Sequence, residues 1–548
     1  MNDIPLNESV YPNGVPVTYR EADLPEYCGN PLIEALSPMY SDIQARDLLK
    51  YYPVVDPAVR AKPPHIRAHA VVNAADFFTP LPIHLALYQQ LDRIIRSGYL
   101  NRNPMVPGYW PGTNRAIAEM RERYKDSKMR PNAPHATSPR GFSFIGVSGI
   151  GKSTAMKRIL ALYDQVIYHS YYNGKPFTHV QITWLHMQCP RKGSLSVLVK
   201  SFFQALDALL GTTYYRDFVQ HSHKRVEEFI PDMKNLALKH SLGVLVIDEI
   251  QNLVGAPGTS ADELLNFLVE MDNEIGVPIV LVGTFKAEPV LCGNEFRRAR
   301  RAAGQGDRVW ERMKEDEVWR KFVQRLWKYQ FVRDPVPWTK ECEPTELIHV
   351  LYEESQGITD VAVKVFLLAQ VYAMELYGDG EQGEQTEERQ PVLETLTADL
   401  FRKASHESLR LLQPFLKALR SGNMDKIKKF EDIEPVLLAD AVQEIEARLK
   451  KAALERDEED EAARQPGESA AGAQSGPTTA TDQAKDGEKP QPQDKPKRRR
   501  RTSANSTEPV DQKDLIGVLQ RGVKDKKAPY VAFTESGAIP STAVYIED

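Results

Sequence analysis

The sequence is poor in cysteine and has no long apolar run. Its four cysteines are scattered over 548 residues without a Cys-x-x-Cys pair, which argues against a zinc site and against a disulfide framework. No run of about 18 apolar residues occurs, so we expect no transmembrane helix. The first residues lack the basic and apolar regions of a secretory signal. We therefore expect a protein that stays in the cytoplasm with reduced thiols.

The chain also lacks a strong excess of either charge. Its net charge is −5 and its pI is about 6.2, so the overall balance does not indicate nucleic acid and local charge is the better guide. Hydrophobic residues make up 42% and charged residues 26%, as in ordinary soluble proteins. At this length we expect two or three folded units joined by linkers.

The clearest motif is "GVSGIGKST", which follows an apolar run at 142–145 and precedes an amphipathic run of helical period. It fits G-x-x-x-x-G-K-[ST], a loop whose glycines let backbone N–H groups surround phosphate oxygens at the start of a helix. Lys152 would reach the β- and γ-phosphates, and the Ser153 hydroxyl would complete the shell of Mg²⁺. The alternative is a glycine-rich turn that binds nothing. The predicted ATP site consists of Gly146, Val147, Ser148, Gly149, Ile150, Gly151, Lys152, Ser153 and Thr154.

Three further residues indicate hydrolysis. In "VLVIDEI", Asp248 would hold Mg²⁺ through its water shell and Glu249 would orient the water that attacks the γ-phosphate. Thr284 ends the apolar run "VPIVLVGT", and its hydroxyl could sense the γ-phosphate or the attacking water from a strand beside the Asp-Glu strand. The alternative for the acidic pair is a simple acidic exit from a strand.

Strand-like and helical runs alternate after the loop, which predicts an α/β domain with a mostly parallel sheet. Beyond Glu288 only helical patterns follow, which predicts a helical lid or a separate helical domain. Between Leu454 and Val510 there is no large aliphatic or aromatic residue, so we expect a disordered tether. Its block "KPKRRRR" either binds nucleic acid or only aids solubility.

These patterns divide the chain into six segments. They are an extended arm (1–65), a helical N-terminal extension (66–135), an α/β ATPase core (136–296), a helical lid with C-terminal helices (297–455), a disordered linker with the basic block (456–512) and an apolar docking segment (513–548).

A cluster of arginines in "EFRRARRAAGQG" crowds like charges within a short segment, which is unfavourable unless they face anions. In ring- or filament-forming ATPases an arginine here reaches the γ-phosphate of the neighbouring subunit. We favour Arg300 or Arg301 for that role, with contact to DNA phosphates as the rival.

Together these motifs resemble the AAA+ ATPases. A narrower resemblance, from about Asn30 to about Gly422, is to the TnsC family, ATP-dependent regulators of transposons with a multi-subunit transposase. The stretches that carry it include "NPLIEALSP", "IRAHAVVN", "IIRSGYLNRNP", "QVIYH", "LGVLVIDEIQNL", "LLNFLVEMDNEIGVPIVLVGT", "RRARRAAG" and "SQGITDVAVKVFLLAQ".

The TnsC resemblance implies a homo-oligomer, a hexameric or heptameric ring or a filament, on double-stranded DNA of any sequence. It implies partnership with a target-selection protein of the TnsD or TniQ type and with the transposase subunits TnsA and TnsB, and a place at the bacterial nucleoid. ATP hydrolysis would release the assembly. Gly357 is not followed by the arginine usual in AAA+ lids, and Lys364 could take its place. The alternatives are an AAA+ replication initiator or loader on double-stranded DNA and a signalling ATPase without DNA.

Two loops are candidate phosphate contacts. In AAA+ assemblies the loop after the second strand faces the central channel, and here it carries Arg191 and Lys192. The turn "GTTYYRD" adds Thr213 and Arg216, whose side chains could follow one DNA strand. The alternative is an exposed polar loop without a ligand. We also expect the segment after Val510 to contact a transposase subunit.

Overall fold

In the described part of the computed structural model, eight short strands form two sheets. In chain order the strands are β1 (Gly14–Pro16), β2 (Phe142–Gly146), β3 (Val166–Tyr172), β4 (Lys175–Ile182), β5 (Trp184–Gln188), β6 (Val244–Asp248), β7 (Ile279–Gly283) and β8 (Arg308–Trp310). The larger sheet has the order β5-β6-β7-β2-β8, and every neighbouring pair in it is parallel. The predicted α/β core with a parallel sheet is thus confirmed, but the prediction that only helices follow Glu288 is wrong, because β8 lies beyond it and pairs with β2 at the edge of this sheet.

The structure describes residues 14–125, 141–190, 195–220, 222–253, 277–287, 308–377, 393–423, 427 and 437–448. All of them belong to one unit, residues 1–466. The predicted linker and docking segment lie outside the described residues, as do Arg191, Lys192, Arg300 and Arg301.

Thirteen named helices accompany the sheets within the described ranges. They are α1 (Pro31–Glu34), α2 (Asp42–Leu49), α3 (Pro64–Asn73), α4 (Pro82–Leu100), α5 (Tyr109–Lys125), α6 (Lys152–Leu160), α7 (Leu195–Leu210), α8 (Ile230–Lys239), α9 (Glu317–Leu326), α10 (Thr345–Ser355), α11 (Thr359–Tyr377), α12 (Ala398–Lys403) and α13 (Gln413–Ser421). Residues 438–448 are also helical. Among these described helices, none is long and apolar enough to span a lipid bilayer.

Both faces of the parallel sheet are covered, as the apolar character of its strands requires. Alternate residues of β6 point to opposite sides: Val244 and Val246 join one hydrophobic cluster, and Leu245 and Ile247 join the other. The first cluster also contains apolar residues of α1, α3, α4 and α6 and of the C-terminal helices α9 to α13. The second is filled by α7 and α8. The N-terminal extension and the C-terminal helices therefore share one core with the sheet.

The smaller sheet has the order β1-β3-β4, with β1 parallel and β4 antiparallel to β3. The continuous strand-like run "HVQITWLHMQC" is divided between the two sheets. Ile182 ends β4 and pairs with Val166, whereas Trp184 begins β5 and pairs with Val244. The N–H of Thr183 donates to the carbonyl of Gln165 at the junction. Strand propensity continues through this point, but the pairing partner changes.

The N-terminal arm has more structure than an extended chain. Ser41 and Gln44 form a reciprocal cap at the start of α2, the capping box that stabilises a helix N-terminus.

Farther along the chain, Arg67 of α3 pairs with Glu394, and both side chains are almost fully buried. Glu394 precedes α12, so this ion pair ties the N-terminal extension to the C-terminal helices.

Candidate nucleotide site

The predicted phosphate loop joins β2 to α6 at the carboxyl end of the parallel sheet. Gly149 and Gly151 have φ values of +74° and +97°, a conformation that side chains disfavour. A Cβ on Gly146 would lie 2.7 Å from the carbonyl oxygen of Trp310, so this glycine allows β8 to approach. The strand, loop and helix therefore occur in the predicted order, and the glycines have a steric reason.

Lys152 lies inside this loop. Its ammonium donates hydrogen bonds to the carbonyl oxygens of Gly146 at 2.9 Å and Val147 at 2.8 Å, and the residue is only 8% exposed. A buried ammonium needs such acceptors. The loop holds the cation where it would meet nucleotide phosphates.

Asp248 ends β6 and is 1% exposed. Burial by itself raises the pKa of its carboxyl, but the nearby His186 imidazole, the Ser153 hydroxyl and the N–H of Glu249 together outweigh that effect and hold the pKa below its usual value. The Glu249 N–H lies 2.8 Å from Oδ1. Asp248 is therefore a carboxylate at neutral pH, next to the phosphate loop.

His186 of β5 is a neighbour that the sequence patterns did not reveal. Its Nε2 lies 3.5 Å from Oδ2 of Asp248, too far for a good hydrogen bond. Both atoms are buried without a hydrogen-bond partner in the described part of the chain. Only the pairing of β5 with β6 brings them together.

The residues fit Mg²⁺. The Ser153 hydroxyl and the Asp248 carboxylate supply the oxygen ligands that this ion prefers, and Oδ2 of Asp248 is an orphaned buried oxygen. No cluster of three or more His, Cys, Asp or Glu side chains suited to a metal occurs in the described ranges. That donor set suits an ion held by few protein groups together with phosphates and water, rather than one in an all-protein cage.

Glu249 has φ of +57°, which is rare for a side-chain-bearing residue and typical of functional sites. Its carboxylate accepts a hydrogen bond from Nε2 of Gln251. The amide oxygen of Gln251 in turn accepts from the N–H of Thr284, at 3.1 Å. Sequence reasoning missed Gln251, although it stands two residues after the predicted base.

Thr284 follows β7, which pairs with β6 as predicted and also with β2. Its hydroxyl is buried, with no hydrogen-bond partner among the described residues. The residue therefore lies between the phosphate loop and the acidic pair. This position suits a group that contacts the γ-phosphate or the attacking water.

The N-terminus of α11 covers the phosphate loop. Thr359 donates to the carbonyl of Ile150, and the Asp360 carboxylate pairs with Lys364 at 2.5 Å. Lys364 is thus near the loop, as a substitute for the missing lid arginine must be.

The two described candidates for DNA contact lie together on the turn after α7. Arg216 donates to the Thr213 hydroxyl over 3.2 Å and pairs with Asp217 at the same distance. The arginine side chain is 65% exposed. The turn therefore presents one accessible guanidinium, part of whose charge Asp217 balances.

Comparison with known proteins agrees with this geometry. Residues 137–291 match the family described as "AAA domain". With this match and the sheet order described above, the chain has the AAA+ P-loop fold, with a parallel sheet flanked by helices, and this fold implies nucleotide binding. The AAA match covers the strands and loops that hold all the described candidates for ATP hydrolysis. It supports a nucleotide hydrolase of the ATPase type.

Solved structures similar to the chain have low sequence identity. The ORC2 protein of Aeropyrum pernix is 15% identical, with a TM-score of 0.31, over 60% of this chain and 80% of that one. A Walker-type ATPase of Pyrococcus abyssi is 15% identical, with a TM-score of 0.31, over 61% and 88%. Cdc6p of Pyrobaculum aerophilum is 13% identical, with a TM-score of 0.32, over 65% and 90%. No curated protein sequence matches the chain significantly.

Proposed function

We propose that the protein is an ATP-dependent regulator of DNA transposition that assembles on double-stranded DNA. It would link a target-selection protein of the TnsD or TniQ type to the transposase subunits TnsA and TnsB. ATP binding permits assembly and hydrolysis resets it.

The observation that supports this proposal is the packing of TnsC-like stretches that lie outside the ATPase core. Asn30, in "NPLIEALSP", donates its side-chain amide to the carbonyl of Tyr99, in "IIRSGYLNRNP", over 2.9 Å. From the second stretch, Arg96 reaches the carbonyl of Ser37 at 2.5 Å and Arg102 that of Leu242 at 2.6 Å. Leu242 precedes β6. The two stretches are therefore joined to each other and to the strand that bears the acidic pair.

In the proposed reaction Lys152 neutralises phosphate charge, while Ser153 and Asp248 would hold Mg²⁺. When bound, the ion would stabilise the negative charge that develops on the phosphates. Glu249 orients and polarises the attacking water, and Thr284 contacts that water or the γ-phosphate. Each of these side chains lies at the carboxyl end of the same parallel sheet.

A replication initiator or loader is the second candidate. The named similar structures belong to ORC and Cdc6 proteins and to a Walker-type ATPase, and a Drosophila ORC bound to DNA is also similar, with 12% identity and a TM-score of 0.27. Likenesses at this level of sequence identity concern the fold alone. One fold hosts several functions, so partners must separate the two.

The test combines ATPase assays with pull-downs of the full chain. We expect duplex DNA to stimulate hydrolysis by the wild type but not by Lys152→Ala, and TnsA or TnsB to bind on DNA only with ATP. An ATPase rate that duplex DNA does not change would contradict both candidate functions. Stimulation by DNA without any transposase contact, combined with binding of a replicative helicase, would favour the initiator.

A further inference from the structure

Gln251 joins the predicted catalytic base to the tip of β7. Its Nε2 donates to Glu249 and its Oε1 accepts from the N–H of Thr284. The residue is only 5% exposed, so water does not compete freely for these bonds. A single side chain thus links the two residues that would contact the attacking water.

The chemistry of the two ends requires an amide. A carboxylate only accepts hydrogen bonds and a backbone N–H only donates them, whereas glutamine carries both a donor and an acceptor. The opposite orientation of the amide would place acceptor against acceptor and donor against donor. The Glu249–Gln251–Thr284 bridge therefore depends on charge and hydrogen-bond type as well as on shape.

The backbone on both sides is adapted to this bridge. Gly283 precedes Thr284, and a Cβ there would lie 3.0 Å from Oε1 of Gln251 and 2.6 Å from a methyl carbon of Ile250. The missing side chain lets Gln251 cross to β7. On the other side, Glu249 adopts its left-handed φ of +57°, which turns the chain so that Gln251 can fold back towards the carboxylate.

We propose that Gln251 is a positioning residue for hydrolysis, an inference that rests on the proposed ATPase. It holds the Glu249 carboxylate in one orientation and couples that orientation to the position of Thr284. The Thr284 hydroxyl has no hydrogen-bond partner among the residues that the structure describes, so a γ-phosphate that engages it thereby acts on the base through one hydrogen-bonded chain. The phosphate loop, and not Gln251, determines the affinity for the nucleotide.

The test compares Gln251→Met with Gln251→Glu in the full chain. Methionine keeps the length and loses both bonds, whereas glutamate keeps the acceptor for Thr284 and loses the donor to Glu249. We expect both variants to lower kcat for ATP about 10- to 100-fold, the effect of a misplaced catalytic group. KM and the Kd for ATP measured by calorimetry should stay unchanged.

Asn252 provides a matched control, because this neighbouring amide donates to the carbonyl of Cys189 and takes no part in the bridge. Asn252→Leu should keep kcat within about twofold of the wild type. A double-mutant cycle is sharper: in a Glu249→Gln background, Gln251→Met should cause no further loss, because residues that act as a unit are non-additive.

Three results would overturn the inference. One is a wild-type kcat in Gln251→Glu, which would show that Gln251 only accepts the hydrogen bond from Thr284 and does not position Glu249. Another is a loss in Gln251→Met that adds fully to that of Glu249→Gln. The third is an equal loss in Asn252→Leu, which would indicate general loosening of the loop. If Glu249→Gln itself hydrolyses ATP normally, the proposed base is wrong and the failure lies with the proposed function.

Discussion

The hydroxyl of Thr359 donates a hydrogen bond to the carbonyl oxygen of Ile150 over 3.1 Å, so the first residue of α11 contacts the phosphate loop directly. The next residue, Asp360, has its Oδ2 4.0 Å from the position that a Cβ on Gly149 would take. A carboxylate so near the loop would repel phosphate, and Lys364 balances it through their ion pair.

The ion pair between Asp360 and Lys364 at the start of α11 predicts that this helix discriminates between ATP and ADP. Lys364→Met should weaken ATP binding about fivefold, a modest effect because Asp360 is partly exposed. ADP carries less negative charge, so the affinity for ADP should fall by a smaller factor. Calorimetry on the isolated protein measures both affinities, and Asp360→Asn in the same background should restore ATP binding. Equal losses for the two nucleotides would argue against an electrostatic role.

Removal of the loop cation should abolish nucleotide binding. In Lys152→Ala the phosphates lose the only side-chain cation within the P-loop motif, and charge-assisted hydrogen bonds to phosphate are among the strong ones. The Kd for ATP from calorimetry or a fluorescent analogue checks this. DNA loading should be lost with it. Unchanged ATP affinity would refute the site.

Glu249→Gln should separate binding from hydrolysis. The amide keeps the size of the side chain but cannot act as a base, whereas Asp248 and Ser153 remain to hold Mg²⁺. We expect wild-type ATP affinity, a kcat lowered at least about 100-fold and long-lived complexes on duplex DNA in gel-shift or dissociation assays. Rapid dissociation despite slow hydrolysis would show that hydrolysis does not reset the assembly.

Arg216 should contribute a sequence-independent contact to DNA. Replacement by alanine should weaken binding to all duplexes alike and lower the slope of log K against log salt by about one for each lost contact. Arg225→Ala is the matched control, because Arg225 is similarly exposed and paired with Glu228. An unchanged slope in Arg216→Ala would assign DNA contact to other residues, with the segment that contains Arg191 and Lys192 as the next place to test.

His84 should make the protein sensitive to mild acid. Burial lowers the pKa of this histidine to about 3, and its Nδ1 accepts from the N–H of Leu81. The unfolded chain binds a proton near pH 6.5 and the folded state does not, so the free energy of unfolding falls as the pH drops below about 6.5. This histidine contributes about 1.4 kcal/mol per pH unit of that loss.

Chemical denaturation of the wild type and His84→Asn at pH 7 and pH 5 tests this assignment. The variant should lose about 2 kcal/mol less than the wild type between the two pH values. His169 and His240 are also buried with lowered pKa values and act in the same direction, so part of the acid effect should remain. Identical losses in both proteins would show that His84 is protonated in the folded state.

The sequence by itself determined the local chemistry of the site. The phosphate loop, the acidic pair and Thr284 are recognisable because each depends on a few adjacent residues next to a strand. An apolar run followed by glycines and then a helical pattern imposes the strand, loop and helix order whatever the rest of the chain does. The same alternation predicted the parallel sheet.

Only the tertiary structure decided which of these parts meet. The order of the strands places β7 between β2 and β6, brings His186 to Asp248 and lets Gln251 span to Thr284. The division of "HVQITWLHMQC" between two sheets and the burial of Arg67 with Glu394 depend on the same choice. These contacts join residues distant in sequence, so strand pairing and packing of the whole core select them, and no local spacing encodes them.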